Sequence, residues 1–162
     1  MKVSIVRGLD EQFARLHGRS LALVQTLTPE RLYWQPAREP GGRTFPVYSC
    51  GEHLLRSAAA VEQTFGGITV NLWDDPFEWT LPESLAAPSD VALYLEEAEA
   101  TRRRAFDFLR SDEDLSKEIA TPPGEMRTLF SLAVETLARA SHHQGRAYAA
   151  FRLFSDARLP RI

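Results

Sequence analysis

The sequence holds a single cysteine, Cys50, which excludes an intrachain disulfide and a cysteine-built zinc site. Long hydrophobic runs are missing too. The longest span five residues, Val91–Leu95 and Ala147–Phe151, where a membrane helix needs about 20. The first ten residues, Met1 to Asp10, have no apolar core of the kind a signal peptide carries. Charge of one sign is not in excess: 19 basic residues face 22 acidic ones, for a formal charge of -3. That argues against a nucleic-acid surface built on bulk charge. No repeat, low-complexity tract, glycine-rich phosphate loop, serine nucleophile elbow or closely spaced inward carboxylate pair is present. What remains is ordinary: 162 residues, 44% hydrophobic and 25% charged, about one domain's worth of chain. The expectation is a single cytoplasmic domain over residues 1–162, with neither nucleic acid nor membrane as partner.

Four stretches carry a helical period. The first runs roughly from Leu9 to Leu27, with Leu9, Phe13, Leu16, Leu23, Val24 and Leu27 on one stripe, and stops before Thr28-Pro29. A linker with Pro36, Pro40, Gly41, Gly42 and Pro46 follows, which cannot be continuous helix. The second stretch starts with a capping box, Ser49 and Glu52, and runs through Leu54, Ala58, Val61 and Phe65 to a stop expected at Gly66-Gly67. Residues 68–88 hold Trp73, Phe77 and Trp79 among four acidic residues and three prolines. They read as an ordered, aromatic-anchored loop, with a short β-hairpin as the alternative.

The third stretch starts near Ser89-Asp90 and continues through Leu93, Ala100, Phe106 and Leu109 to Ser111. Its mixed-charge middle, Glu96 to Arg104, reads as a solvated face. Pro122-Pro123-Gly124 breaks the chain, and a long last helix is expected from about Glu125 to Phe154. Four amphipathic helices joined by such breaks predict an all-α fold, a four-helix bundle of the up-and-down type.

Of the four histidines, His17 shows no partner spacing. In the last helix, Leu129, Leu132, Thr136, Ala140, Ala147 and Phe151 form a stripe that includes His143. His142 falls about 100° away on the polar side. His143 is therefore the inward imidazole, open to two readings: a bonded core histidine, or a ligand or catalytic group. Cys50 sits near a helix N-terminus, where a thiol's pKa can fall, but no base accompanies it, and it is not read as a nucleophile. Tyr33, Trp34, Trp73, Phe77 and Trp79 serve either as packing anchors or as walls of a pocket.

Two segments carry a resemblance. Ser49-Cys50-Gly51-Glu52-His53-Leu54-Leu55-Arg56 resembles the start of the second helix in the DinB/YfiT-like superfamily. Ser141-His142-His143-Gln144-Gly145-Arg146-Ala147-Tyr148 is similar to that superfamily's last-helix signature, and Leu32-Tyr33-Trp34-Gln35-Pro36 fits its linker. The similarity spans nearly the whole chain. It implies a four-helix bundle, a homodimer, and a cleft bordered by the second and fourth helices. In many such proteins three histidines hold a divalent metal, and several are thiol-dependent transferases or isomerases.

Carried over by position, two of those ligand positions fall on Arg56 and Arg139, and only the third, His143, keeps its imidazole. Arginine has no lone pair to offer a metal. The resemblance thus implies a degenerate metal site and no cofactor. The alternative is a zinc or nickel ion on a site rebuilt from His143 with His53. Periodicity alone sets Arg56 away from the Leu54/Ala58/Val61/Phe65 stripe, so its inward position is implied by the resemblance. Two inward guanidinium groups need counter-charge. Glu52 and Glu135, each four residues before its arginine, could supply it as helix pairs; otherwise an external small anion could. Three functional readings follow. One is a metal-free module with a cleft at Arg56, Arg139, His143 and His53. The second is a thiol-dependent transferase or isomerase, and the third a structural protein whose dimer is its function. Whether the chain is an enzyme stays open.

Overall fold

Ser4 opens the first helix by accepting a hydrogen bond from the Arg7 amide, and a computed structural model describes the chain over residues 4–38, 40–42, 47–76 and 82–161. Helix α1 spans Ile5–Val24, and its stripe of Leu9, Phe13, Leu16, Leu23 and Val24 is buried as its period requires. A single turn, α2, follows at Pro29–Leu32 with proline in its first turn. Helix α3, Cys50–Val70, starts at the Ser49 capping box: Ser49 Oγ accepts from the Glu52 amide, and Glu52 bonds back to the Ser49 amide. It does not stop at Gly66-Gly67. It runs on to Val70 and ends where Asn71 turns left-handed at φ 56°. The glycines serve packing instead, because the Trp73 indole lies against Gly67 with no room for a side chain.

Helix α4 covers Pro88–Phe106 and buries Val91, Tyr94, Leu95, Ala98, Ala105 and Phe106. Leu93, placed on its apolar stripe by the sequence, is 62% exposed. The mixed-charge run is not wholly solvated either. Glu99 and Arg102 are buried, with Arg102 bonded to both Glu99 and Asp10 of α1. A 3-10 turn at Asp112–Ser116 leads to a hairpin, β1 (Glu118–Thr121) with β2 (Glu125–Thr128), paired antiparallel with Glu118 opposite Thr128. Helix α5 therefore begins at Leu129 rather than Glu125 and runs to Arg152, with Thr128 as its side-chain cap. The strands were expected, if anywhere, in residues 68–88. No strand lies there among the described residues, and Phe77 and Trp79 fall outside them.

The described residues are thus mainly helical, with four long helices and one small hairpin. No helix among the described residues is long and apolar enough to cross a membrane. Helix α3 packs chiefly on α5 and α4, and α1 on α4 and α5. Neighbours are not all consecutive in the chain, as a simple up-and-down order would have them. The segments before α3 and α5 are long enough to cross to the far corner. One part of the core gathers Leu23, Val24, Leu54, Leu55, Leu95 and Phe151. The other centres on Phe13, Phe65 and Phe106, whose rings meet edge-on or tilted with centroids 5.1–5.9 Å apart.

Candidate functional site

Small residues bring α3 and α5 close together. Ser57 Oγ donates to the Ala140 carbonyl at 2.8 Å, and the hydroxyls of Thr64 and Thr136 meet at 2.7 Å, all buried. Longer side chains are left to line the seam. Arg56, Ala59, Ala60 and Gln63 of α3, Arg139 and His143 of α5, and Asp75 from the segment after α3 enclose a cleft of about 190 Å³. Arg56 lines this cleft although it lies off the apolar stripe. The stripe misleads because α3 is central, buried from His53 to Gly67 on most of its circumference.

Arg139 Nη2 donates to Gln63 Oε1 at 3.1 Å and to the Ala60 carbonyl at 3.4 Å. Arg56 lies over the Tyr48 ring, its Cζ 4.0 Å from the ring centroid. The helix pairs expected from the sequence do not form. Glu52 accepts from Ser49 and from Gln35 Nε2, and Glu135 accepts from Arg127. The capping box captures the first carboxylate, and β2 brings Arg127 to the second.

A family model described as the DinB superfamily matches residues 12–147. The chain belongs to the DinB superfamily. Among solved structures it is similar to the crystal structure of a DinB-like protein from Bacillus cereus, at 16% sequence identity and a TM-score of 0.72. The match covers 100% of this chain and 99% of that one, and at this identity it speaks for the fold. No curated protein matches the sequence.

In this DinB-superfamily chain His53 and His143 come together, with ring centroids 5.8 Å apart. His53 is buried and also packs edge-on against Tyr48 at 5.6 Å, but it does not line the cleft itself. Burial first, and then the charges of His143, Arg146 and Arg56, push its pKa down to about 4. His143 is half-buried and shifts the same way. Burial again leads, followed by His142, Arg56, Arg146 and Arg139. Both imidazoles are neutral near pH 7, and the Nδ1 atoms of both are buried without a hydrogen-bond partner. His142 is exposed, as its helix face requires. His17 lies 3.5 Å from Glu96 and does not line the cleft.

The remaining candidates sort plainly. Cys50 is fully buried, and burial pushes its thiol up to about 12, against the direction a helix N-terminus alone would give. It stays protonated. Tyr33 donates to the Leu85 carbonyl, and Trp34 packs on Phe154, so neither borders the cleft. Gln63, Tyr48 and Asp75 were not found by sequence reasoning. Gln63 had a signal, since it stands two turns beyond Arg56 on the same helix face. Tyr48 and Asp75 lie outside helices, where no periodicity points at anything.

Proposed function

We propose that this DinB-superfamily chain is a single four-helix-bundle domain whose α3–α5 cleft binds a small anion without a metal ion. The observation that carries the reading is Arg139. Among the described residues its guanidinium makes no ion pair, and its partners are the neutral Gln63 carboxamide and a backbone carbonyl. A cation held by neutral dipoles keeps its charge for an external oxyanion. Arg56, over the Tyr48 ring, lines the same cleft, with Asp75 as the acidic residue of its lining.

The residues present do not fit a three-imidazole metal centre. Guanidinium groups stand at two of the positions where the family resemblance requires lone pairs. Among the described residues no three His, Cys, Asp or Glu side chains converge as a ligand set. The test is a calorimetric titration of inorganic phosphate and acetate into the wild type and the Arg56→Met, Arg139→Met double variant. Binding that weakens with added salt and disappears in the variant supports the reading. Equal binding by both proteins, or none by either, overturns it.

The second reading is a thiol-dependent transferase or isomerase on a rebuilt metal site. The paired rings of His53 and His143, with both Nδ1 atoms unbonded, favour it. One equivalent of bound zinc or nickel, lost on His143→Ala, would establish that site in place of the anion. A cytoplasmic homodimer completes the proposal. It rests on the family resemblance, and light scattering at high micromolar concentration tests the association.

A further inference from the structure

A second compartment of about 250 Å³ adjoins the first, and the two share Gln63 and Arg139 as their common wall. The hairpin absent from the sequence reading builds its far side, through Thr121 and Pro122. Trp73 and Leu132 supply apolar surface, and the Thr64–Thr136 pair lies beneath. One of those hydroxyls donates to the other, so both oxygens of the floor already share a hydrogen bond. Trp73 is held firmly. Its ring lies against Gly67, its Nε1 donates to Asn71 Oδ1 at 3.0 Å, and its carbonyl accepts from Gln63 Nε2 at 2.9 Å. One carboxamide thus ties Arg139 on one side to the Trp73 backbone on the other.

The charges of the two compartments differ. The first has Arg56 and Arg139 against Asp75. In the second, Arg127 is bonded to Glu135, and Glu125 adds a further carboxylate. With the shared Arg139 counted, the second compartment holds two arginines and two glutamates, so an anionic head is drawn to the first. The second compartment suits a neutral, flat group that can lie on an indole.

We infer that the two compartments form one bipartite site for an organic oxyanion. A carboxylate or phosphate ester places its head at Arg139 and an uncharged, flat arm beside Trp73. This rests on the anion reading above and narrows its ligand class from small anions in general to those with an arm.

The experiment titrates acetate, inorganic phosphate, 3-phenylpropionate and phenyl phosphate into the full chain. Each is followed by calorimetry and by the indole N–H resonance of Trp73, assigned with Trp73→Phe. The arm-bearing compounds should bind at least about tenfold tighter than their armless counterparts. They should also shift the Trp73 resonance in the wild type. Trp73→Ala should remove that gain. If phosphate binds but an arm adds nothing and the indole does not move, the bipartite site is wrong and the anion reading stands. If no compound binds, both fall.

Discussion

The indole of Trp73 stands where a side chain on Gly67 would have to go: a Cβ there would lie 2.3 Å from two of its ring carbons. A helix-interior glycine ordinarily weakens its helix, by about 0.5–1 kcal/mol relative to alanine. Here the missing Cβ is what seats the ring. Gly67→Ala should therefore destabilise the protein by about 1–3 kcal/mol in denaturant melts, as overpacked sites do. Gly18 in α1 and Gly145 in α5 have nothing within 4 Å of a built Cβ. Alanine at either should stabilise by about 0.5–1 kcal/mol. Equal effects at all three positions would mean that helix propensity, not the ring, decides.

Glu99 and Arg102 form a buried pair, each side chain only 3% exposed. Burial works against the Glu99 carboxylate, but the hydrogen bonds and charge of Arg102, helped by Arg103, hold its pKa below the ordinary value. Glu99→Gln leaves a buried guanidinium with Asp10 as its remaining acid partner. The expected loss is about 3 kcal/mol, the lower end for an uncompensated buried charge, because Asp10 remains. The double variant Glu99→Leu, Arg102→Met should cost clearly less than the sum of its single changes. Additive losses in urea unfolding would show that the two side chains are not coupled.

The long helices were legible because burial followed period. The stripes of α1 and α5 and the Ser49 cap stood in the sequence as they stand in the fold. Three things were not legible, each for a physical reason. The Glu96–Arg104 run looked solvated because composition cannot tell which of several charges faces inward and finds Asp10. Gly66-Gly67 looked like a stop because its reason, Trp73, sits in a loop. The hairpin at 118–128 has four-residue strands with no alternation of burial strong enough to read. In the cleft, Arg56 and Arg139 were named from the resemblance and His143 from the stripe of α5; these three line one space, and His53 does not. Pairing with Glu52 and Glu135 was one of two alternatives, and spacing along a helix ignores competition from a cap or a neighbouring strand.

Acid should destabilise the protein through His53. Its folded pKa is about 4, against 6.5 for the free side chain. Between those values the unfolded chain binds the proton and the folded chain does not. The contribution is thus fully present above about pH 6.5 and is lost as pH falls towards 4. His143 shifts in the same direction and adds to the effect. Subtracting the stability of His53→Gln from that of the wild type isolates the term from titrating carboxylates. The difference should fall on acidification across this window, with a slope no steeper than about 1.4 kcal/mol per pH unit for one proton. A flat difference would mean that His53 titrates as it does in water.

The anion reading depends on Arg139 being held by a neutral group, and one atom's change tests that directly. Gln63 accepts from Arg139 Nη2 through its amide oxygen and donates to the Trp73 carbonyl through its amide nitrogen. Gln63→Glu keeps the shape and the acceptor but turns it into a carboxylate, which supplies inside the protein the counter-charge that Glu135 does not. Arg139 would then hold a charge-assisted bond, and an external oxyanion would have to compete with it. The donor to Trp73 is lost at the same time, so some loosening of that loop is expected. Phosphate affinity should fall by at least about tenfold, close to 1.4 kcal/mol. Thermal stability should change little, since the gained ion pair offsets the lost hydrogen bond. Glu135→Gln is the matching control. It removes a carboxylate four residues before Arg139, but one bonded to Arg127 at a mostly exposed position. Its effect on stability should stay within about 1 kcal/mol, and phosphate affinity should be unchanged or slightly higher. Should Gln63→Glu bind phosphate as well as the wild type, Arg139 would not be the group that receives the anion.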